Sequence, residues 1–293
     1  MKSEIALEYV RCNLCESDQS EELFIHEGHR VVRCQACHLV YVNPQNTKDR
    51  LMQIYDHEYF QNPAKVYYKD YYAEREFRSR EFAKLVKRIE TFKKPGRLLD
   101  VGAAAGFLLD SARKSGWETY GVEFSKTASE FARRELKLDV KSGELPECDW
   151  PEDYFDVITM IDMIEHTKDP KANLRAAAGF LKPGGLLVIS TPNIASLGFR
   201  IFGKGFVFMR PEVHLWYFDL KTMSRMLASF GIRVLKADYP YFETPYFNGK
   251  EVWNLISRIS KKIWVGERET VPSAPMRGNL MNLFCEKANH RGG

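Results

Sequence analysis

Long apolar runs are missing from this sequence. No stretch approaches the ~18 consecutive apolar residues that mark a membrane-spanning helix. The N-terminus, MKSEIALEYVRCNLC, has no apolar core of a secretory leader. The expected compartment is therefore the cytoplasm, with peripheral contact at the inner membrane face left open. Strong charge is missing too. The formal net charge is +4 over 293 residues, weaker than a dedicated nucleic-acid binder usually carries. A nucleic-acid partner is disfavoured, although charge alone does not exclude one. Cysteine is scarce, with six in the chain. Four of them form Cys12-x-x-Cys15 and Cys34-x-x-Cys37; in a reducing compartment such pairs read as metal or redox sites rather than disulfides. Cys148 and Cys285 read as buried thiols.

What is present suffices for one full α/β domain and a small appendage. Residues 1–45 hold the paired cysteines and end in the turn signal Val42-Asn43-Pro44. Residues 46–94 are rich in tyrosine, charge and helix formers, and read as a helical linker or lid. Its helix is expected from about Asp70 to Lys94, stopped by Pro95-Gly96. From residue 95 to 288, strand and helix patterns alternate. Strands are expected at Arg97–Val101, Trp117–Glu123, Phe155–Ile161 and Leu186–Thr191. Helices are expected at Phe107–Lys114, Ser125–Leu138 and Asp169–Leu181. This rhythm implies an α/β fold, a parallel sheet with helices on both faces. Two insertions are expected, at about 192–218 and 240–278, the second with a helix near 250–264. Between them lie a helix at Leu220–Phe230 and a strand at Ile232–Tyr239, and Leu280–Lys287 is a final strand.

The first of the alternating strands runs from Asp100-Val101 into Gly102-Ala103-Ala104-Ala105-Gly106. Small residues let the backbone turn sharply at the strand's carboxyl end and let a ligand approach the main chain. Glu123 closes the next strand, 17 residues after Gly106, where an acid can accept from both hydroxyls of a ribose. A dinucleotide fingerprint would need glycines at Ala104 and Phe107, so a nicotinamide cofactor is disfavoured.

These residues resemble a known family. Leu98 to Gly106 looks like the first motif of class I S-adenosylmethionine-dependent methyltransferases. Gly121-Val122-Glu123-Phe124-Ser125 looks like their ribose-binding strand end. Phe155-Asp156-Val157-Ile158, with Asp162-Met163-Ile164-Glu165-His166, looks like their fourth strand and the loop after it. Leu181-Lys182-Pro183-Gly184-Gly185 resembles the turn before their fifth strand. The resemblance implies a Rossmann-like, mostly parallel seven-stranded sheet with a final antiparallel strand. It implies S-adenosyl-L-methionine as cofactor, with Asp100, Gly102, Ala103, Ala104 and Gly106 around its methionine part. Glu123 would hold the ribose, Phe124 would pack on the adenine, and Glu144 would lie near the adenine edge. Ile161 and Asp162 would sit beneath the sulfur. Ala104 departs from the family's common glycine.

Eighteen residues separate the two cysteine pairs. Two such knuckles set Cys12, Cys15, Cys34 and Cys37 at the corners of a tetrahedron, the geometry of structural Zn2+ in a zinc ribbon. Cysteine knuckles ahead of a methyltransferase domain occur in bacterial sugar, lipid and secondary-metabolite methyltransferases, and in ribosomal RNA methyltransferases. The segment Val32 to Pro44 looks more like the first group.

Three readings of the acceptor side stay open. Asp162, Glu165 and His166 have i, i+3, i+4 spacing and share a face if the segment is helical. His166 could be a general base. Asp162, Glu165, His166 and His214 could instead hold Mg2+ or another divalent cation that polarises a hydroxyl. The D-x-x-E-H run is similar to the E-x-x-E-H of ubiquinone-biosynthesis O-methyltransferases, with Asp in the first place. The third reading gives these residues only loop-capping roles. His214 to Phe218 is expected to fold over the cleft. The insertions mix aromatic, aliphatic and basic residues, which suits core packing, a greasy acceptor pocket or a membrane surface. The expected reaction is O-methylation of a small-molecule, glycan or lipid-linked acceptor. An RNA methyltransferase guided by the ribbon and a non-catalytic binding module are the competing readings. The sequence says nothing about oligomeric state.

Overall fold

The computed structural model describes residues 7–55, 74–240, 251–266, 270–273 and 277–289. Five short strands open the chain: β1 (Leu7–Glu8), β2 (Ser20–His26), β3 (His29–Cys34), β4 (Val40–Val42) and β5 (Gln45–Asn46). Helices α1 (Lys48–Gln53) and α2 (Arg75–Glu90) lead to β6 (Arg97–Val101). There follow α3 (Phe107–Lys114), β7 (Glu118–Glu123), α4 (Lys126–Leu136), β8 (Asp139–Ser142), β9 (Phe155–Ile161), α5 (Pro170–Phe180) and β10 (Leu181–Pro192). The chain ends through α6 (Leu197–Phe202), β11 (Trp216–Tyr217), α7 (Leu220–Ala228), β12 (Ile232–Asp238), α8 (Glu251–Val265) and β13 (Leu280–Lys287).

The main sheet has seven strands among the described residues, in the order β12-β13-β10-β9-β6-β7-β8. Neighbours from β8 to β10 are parallel, and β13 is antiparallel to both β10 and β12. This is the Rossmann-like α/β sheet that the motif order implied. Leu98, Leu99 and Val101 of the central β6 are all buried, as expected of a parallel strand covered on both faces. Three of the sheet-flanking helices start where side chains cap them. Ser125, Asp169 and Asp219 accept from the backbone N–H of Ala128, Ala172 and Thr222, and Pro170 fills the first turn where its missing N–H costs nothing. One core layer lies under α2, α3 and α4, with Val86, Ile89, Phe107 and Leu136 against Leu98, Val157 and Val188.

Three differences from expectation have local causes. β8 was not foreseen, because Val140 is its single buried apolar residue; it is an edge strand that pairs only with β7. The run Asp162 to His166 is a turn rather than a helix, and Asp162 takes a left-handed φ of 51°. The helix expected from Asp70 begins at Arg75 among the described residues; Asp70 itself lies outside them.

The N-terminal segment does not stand apart. β2, β3 and β4 form a sheet that β11 extends, Trp216 pairing with Tyr41 and Tyr217 with Val40. Cys12, Val32, Cys34, Leu39 and Tyr41 share one continuous core with Leu99, Ile158 and Ile189 of the main sheet and with Leu174 and Met223 of α5 and α7. On the other side Phe206, Val207 and Met209 of the 192–218 stretch pack on Val31, Val40 and Val42. Cys285 is a buried thiol as expected, whereas Cys148 is only partly buried.

Candidate active site

The chain leaves β6 towards β7 on one side and returns to β9 on the other. At such a switch point the loops after the strands part and leave a crevice at their carboxyl ends. A cavity of about 900 Å³ occupies it, large enough for a cofactor and an acceptor together.

The turn after β6 forms one wall. Gly102 and Gly106 have φ of 79° and 82°, and Ala104 has 47°, a region costly for any residue with a Cβ. A Cβ on Gly102 would come within 2.7 Å of Met163 Cγ, and one on Gly106 within 2.5 Å of Leu138 Cδ1. Both glycines are therefore required by space as well as by φ. Gly106 lies outside the cavity wall and only shapes the start of α3. Asp100, Gly102, Ala103, Ala104, Glu123, Phe124, Glu144 and Ile161 all line the cavity.

Glu123 is buried, and its carboxylate ties two turns together. Oε2 accepts from Ala104 N at 2.7 Å and Oε1 from Ser125 N at 2.7 Å. A carboxylate has about four acceptor sites, and this one faces the cavity, where a vicinal diol could meet it. Asp100 is fully buried and accepts from Thr159 Oγ1 at 2.6 Å. Burial pushes its carboxyl up to about 7, with the nearby Glu123 adding to the rise. Glu144 is paired with Lys48 at 2.8 Å, which brings α1 to this edge of the cavity.

On the far side, Glu165, His166 and His214 converge. One ligand-capable atom of each lies within 4.8 Å of the others, and the two imidazole rings meet edge to face at 4.5 Å. Asp162 does not join them; its Oδ1 accepts from Ser190 Oγ at 2.8 Å, and it faces the cavity directly. The backbone assigns both tautomers. His214 Nδ1 donates to the Phe208 carbonyl at 2.8 Å, and His166 Nδ1 lies 3.0 Å from the Val213 carbonyl. Carbonyls only accept, so each Nδ1 carries the proton and each Nε2 keeps a lone pair. Tyr55 Oη, 2.6 Å from His166 Nδ1, shares that contact. Glu165 Oε2 accepts from Thr191 Oγ1 at 3.0 Å.

Burial sets the protonation of all three groups. Burial and the neighbouring Asp162 hold the Glu165 carboxyl well above the ordinary range. Burial, with Arg210 nearby, pulls His166 down to about 3. Burial and the adjacent His166 pull His214 down likewise. Two neutral imidazoles, each with a lone pair on Nε2, beside one carboxyl make a ligand set for a divalent cation. Of the three, His166 reaches the cavity wall.

The four cysteines form the other metal-type cluster. Cys12 Sγ is 3.4 Å from Cys37 Sγ and Cys15 Sγ is 3.5 Å from Cys34 Sγ. These separations are too long for disulfides and close to the ~3.8 Å edge of a zinc–thiolate tetrahedron with ~2.3 Å bonds. Burial raises Cys34, but N–H groups of Cys37 and Ala36 and the Cys15 thiol outweigh it and bring it to about 7. The four can hold zinc.

Tyr55, Arg78 and Ser190 also line the cavity and escaped the sequence reading. Tyr55 lies in a tyrosine-rich stretch with no motif. Ser190 and Thr191 stand at the carboxyl end of β10, where position in the strand was an available signal.

Comparison with known proteins agrees with this geometry. A family described as a methyltransferase domain matches residues 74–237, more than half of the chain. The ubiquinone biosynthesis O-methyltransferase of Alkalilimnicola ehrlichii is 36% identical over 105 residues, 33% of this chain and 42% of that protein. Its Bordetella bronchiseptica counterpart is 33% identical over 120 residues, 38% of this chain and 49% of that protein. The match thus spans about half or less of these relatives. A methyltransferase structure from Archaeoglobus fulgidus, described as dependent on S-adenosylmethionine, aligns with a TM-score of 0.51 at 22% identity, covering 74% of this chain and 100% of that one. At that identity the likeness concerns the fold.

Proposed function

This chain belongs to the methyltransferase-domain family and is a class I S-adenosylmethionine-dependent methyltransferase; on that premise we propose that it methylates a hydroxyl oxygen of a small-molecule, sugar or lipid-linked acceptor. The observation that carries this reading is the meeting of Glu165, His166 and His214 beside the same cavity that the cofactor turn lines.

The bound cofactor supplies a methyl group already activated by its sulfonium. The protein's task is then alignment and proton removal. In this reading Glu123 holds the ribose hydroxyls, Phe124 packs on the adenine and Glu144 faces its edge. Asp100 and Gly102 to Ala104 line the methionine part, with Ile161 and Asp162 below the sulfur. Glu165 and the Nε2 atoms of His166 and His214 would hold a divalent cation, which would lower the pKa of an acceptor hydroxyl. Two imidazoles and a carboxylate suit Zn2+, Mn2+ or Fe2+ better than Mg2+, which prefers oxygen. Asp162, outside that set, faces the acceptor. The cysteine cluster, with four thiolates and no open position, holds a structural zinc. Phe77, Phe82, Leu85, Leu280 and Phe284 line another part of the cavity, interleaved with Arg78, Glu81, Lys87 and Arg88, and suit an acceptor with both an apolar and a polar part.

The RNA reading loses support in the ribbon. Arg30 and Arg33 lie 3.7 and 3.6 Å from Glu22 and Glu21, which mutes the basic surface that phosphates would need. Calorimetry with S-adenosylmethionine tests the cofactor half. Glu123→Ala is expected to weaken binding roughly 100-fold, the worth of two hydrogen bonds to a charged group; equal affinity would remove the ribose assignment. Labelled methyl transfer to phenol, glycan and RNA pools tests the acceptor half. Incorporation into RNA alone would overturn it.

A further inference from the structure

Helix α8 buries one face and leaves the wrong kind of residue on the other. Ile259 and Val265 pack on Ile201, Phe202 and Val271. Arg258 Nη1 donates to the carbonyls of Pro272 and Ser273 at 3.1 and 2.8 Å. Ser273 in turn is tied to Gly205 and Val207, its N donating to the Gly205 carbonyl and its Oγ accepting from Val207 N. That face accounts for the helix's place in the fold. The opposite face carries Trp253, Ile256, Ile263 and Trp264, exposed to 75%, 51%, 79% and 88%. At 100° per residue these four, with Ser260, form one stripe. Trp253 and Trp264 stand three turns apart on it, separated by roughly 16 Å along the axis.

The charge of this helix is mainly positive. Residues 251–266 contain Arg258, Lys261 and Lys262 against one acid, Glu251 at the helix start, and the sequence Glu267-Arg268-Glu269 follows. Residues 197–205, which hold α6 and the turn after it and supply Ile201 and Phe202 to α8, contain Arg200 and Lys204 and no acid. A partner that covers this face must accept four large apolar side chains and balance a helix that carries three bases and one acid. An anionic bilayer surface does both. Tryptophans settle at the headgroup level, aliphatic side chains reach the acyl boundary, and lysines and arginines meet lipid phosphates.

We propose that the exposed face of α8, with Trp253, Ile256, Ile263 and Trp264, docks the protein onto an anionic phospholipid membrane. None of the described helices is long and apolar enough to cross one, so the attachment is to the surface. From α8 the chain runs on to Arg277 and Leu280, both in the wall of the large cavity. Docking there favours an acceptor that arrives from the lipid phase. This last step rests on the methyl-transfer reading; the docking does not.

Vesicle co-sedimentation of the full chain tests it. The protein is expected to pellet with vesicles of phosphatidylcholine and phosphatidylglycerol and to stay in solution with phosphatidylcholine alone. W253S/W264S should lower the partition coefficient at least roughly tenfold, given the apolar area removed from the interface, and Lys261→Glu should weaken it further as salt does in the wild type. S-adenosylmethionine affinity, measured on the same samples, should be unchanged and shows that the variants are folded. Failure of the wild type to pellet with anionic vesicles, or equal binding by W253S/W264S, overturns the proposal. So does a tryptophan-dependent dimer in light scattering without vesicle binding, which would make a second copy the occupant. Loss of cofactor binding in the wild type would strike the methyltransferase reading and leave the docking result standing.

Discussion

The two metal-type clusters of this molecule differ in almost every respect except burial. Cys12, Cys15, Cys34 and Cys37 come from two short knuckles, with their sulfurs 3.4 and 3.5 Å apart in pairs. Glu165, His166 and His214 come from the loop after β9 and the segment before β11, and each histidine is oriented by a backbone carbonyl. Four thiolates satisfy a tetrahedral ion completely, whereas three ligands leave a place for another. The first cluster sits in a core shared with α5 and α7; the second reaches the cavity through His166. The difference teaches that one set suits holding structure and the other suits meeting a substrate, and experiments can drive the two apart.

The largest effect is expected at the cysteines. Cys34→Ser removes one thiolate from a buried tetrahedron, and structural zinc binding is worth about 10 kcal/mol or more to folding. Because Cys34 shares its core with the main sheet, the whole chain should melt early and in one step. Zinc content by mass spectrometry and a calorimetric melt measure this; an unchanged melting temperature would reduce the ribbon to an ornament. Next comes Glu165→Gln. The amide keeps the size and the Thr191 contact, so the fold should survive while turnover falls about 100-fold, as loss of a metal ligand does. Cofactor affinity should not move. A mild chelator should mimic this variant and spare the cysteine-bound zinc; full activity after chelation would sink the cation reading.

How much of this was legible beforehand follows the same division. The cysteine cluster was readable because its ligands are neighbours in sequence and spacing alone brings them together. The cofactor turn was readable because Gly102, Gly106 and Glu123 serve local geometry, namely left-handed φ values and a strand end. The second cluster was only half readable. The sequence singles out Glu165, His166 and His214, but the likeness of D-x-x-E-H to E-x-x-E-H groups Asp162 with them. A turn with φ of 51° at Asp162 sends that carboxylate to Ser190 instead. Tyr55 had no periodic or motif signal at all, since its role depends on where α1 lands. The join between ribbon and main sheet was equally hidden. Trp216 and Tyr217 form a two-residue strand, too short for any alternation to announce it.

A smaller and more diagnostic effect lies in pH. Burial lowers both histidines in the folded chain. Below about 6.5 the unfolded chain binds two protons there and the folded chain none, so stability falls on acidification. Glu165 is raised, so without a cation the folded chain keeps one proton that the unfolded chain releases above about 4.5, and stability falls on alkalinisation. Between about pH 4.5 and 6.5 Glu165 thus opposes the two histidines. A bound cation deprotonates Glu165 and removes that opposition, so the loss of stability on acidification becomes steeper than in the cation-free protein. Urea unfolding at several pH values, with and without chelator, measures both slopes. Identical slopes in the two conditions would mean that the cluster binds no cation in the folded protein.

The smallest expected effect is that of Tyr55→Phe. Tyr55 Oη and the Val213 carbonyl both lie within hydrogen-bond distance of His166 Nδ1. Removing the hydroxyl leaves the carbonyl, which still fixes the proton on Nδ1 and the lone pair on Nε2. The histidine therefore keeps its tautomer and loses only part of its restraint, worth about 1 kcal/mol. Turnover should drop by a factor of roughly ten or less, with bound metal and cofactor affinity unchanged. The contrast with Glu165→Gln is the point of the measurement. A ligand and a residue that merely steadies a ligand should differ by about tenfold or more in rate and should differ in metal content. If Tyr55→Phe loses metal as Glu165→Gln does, the Val213 carbonyl is not what orients His166, and the tautomer assignment at that ring must be reversed.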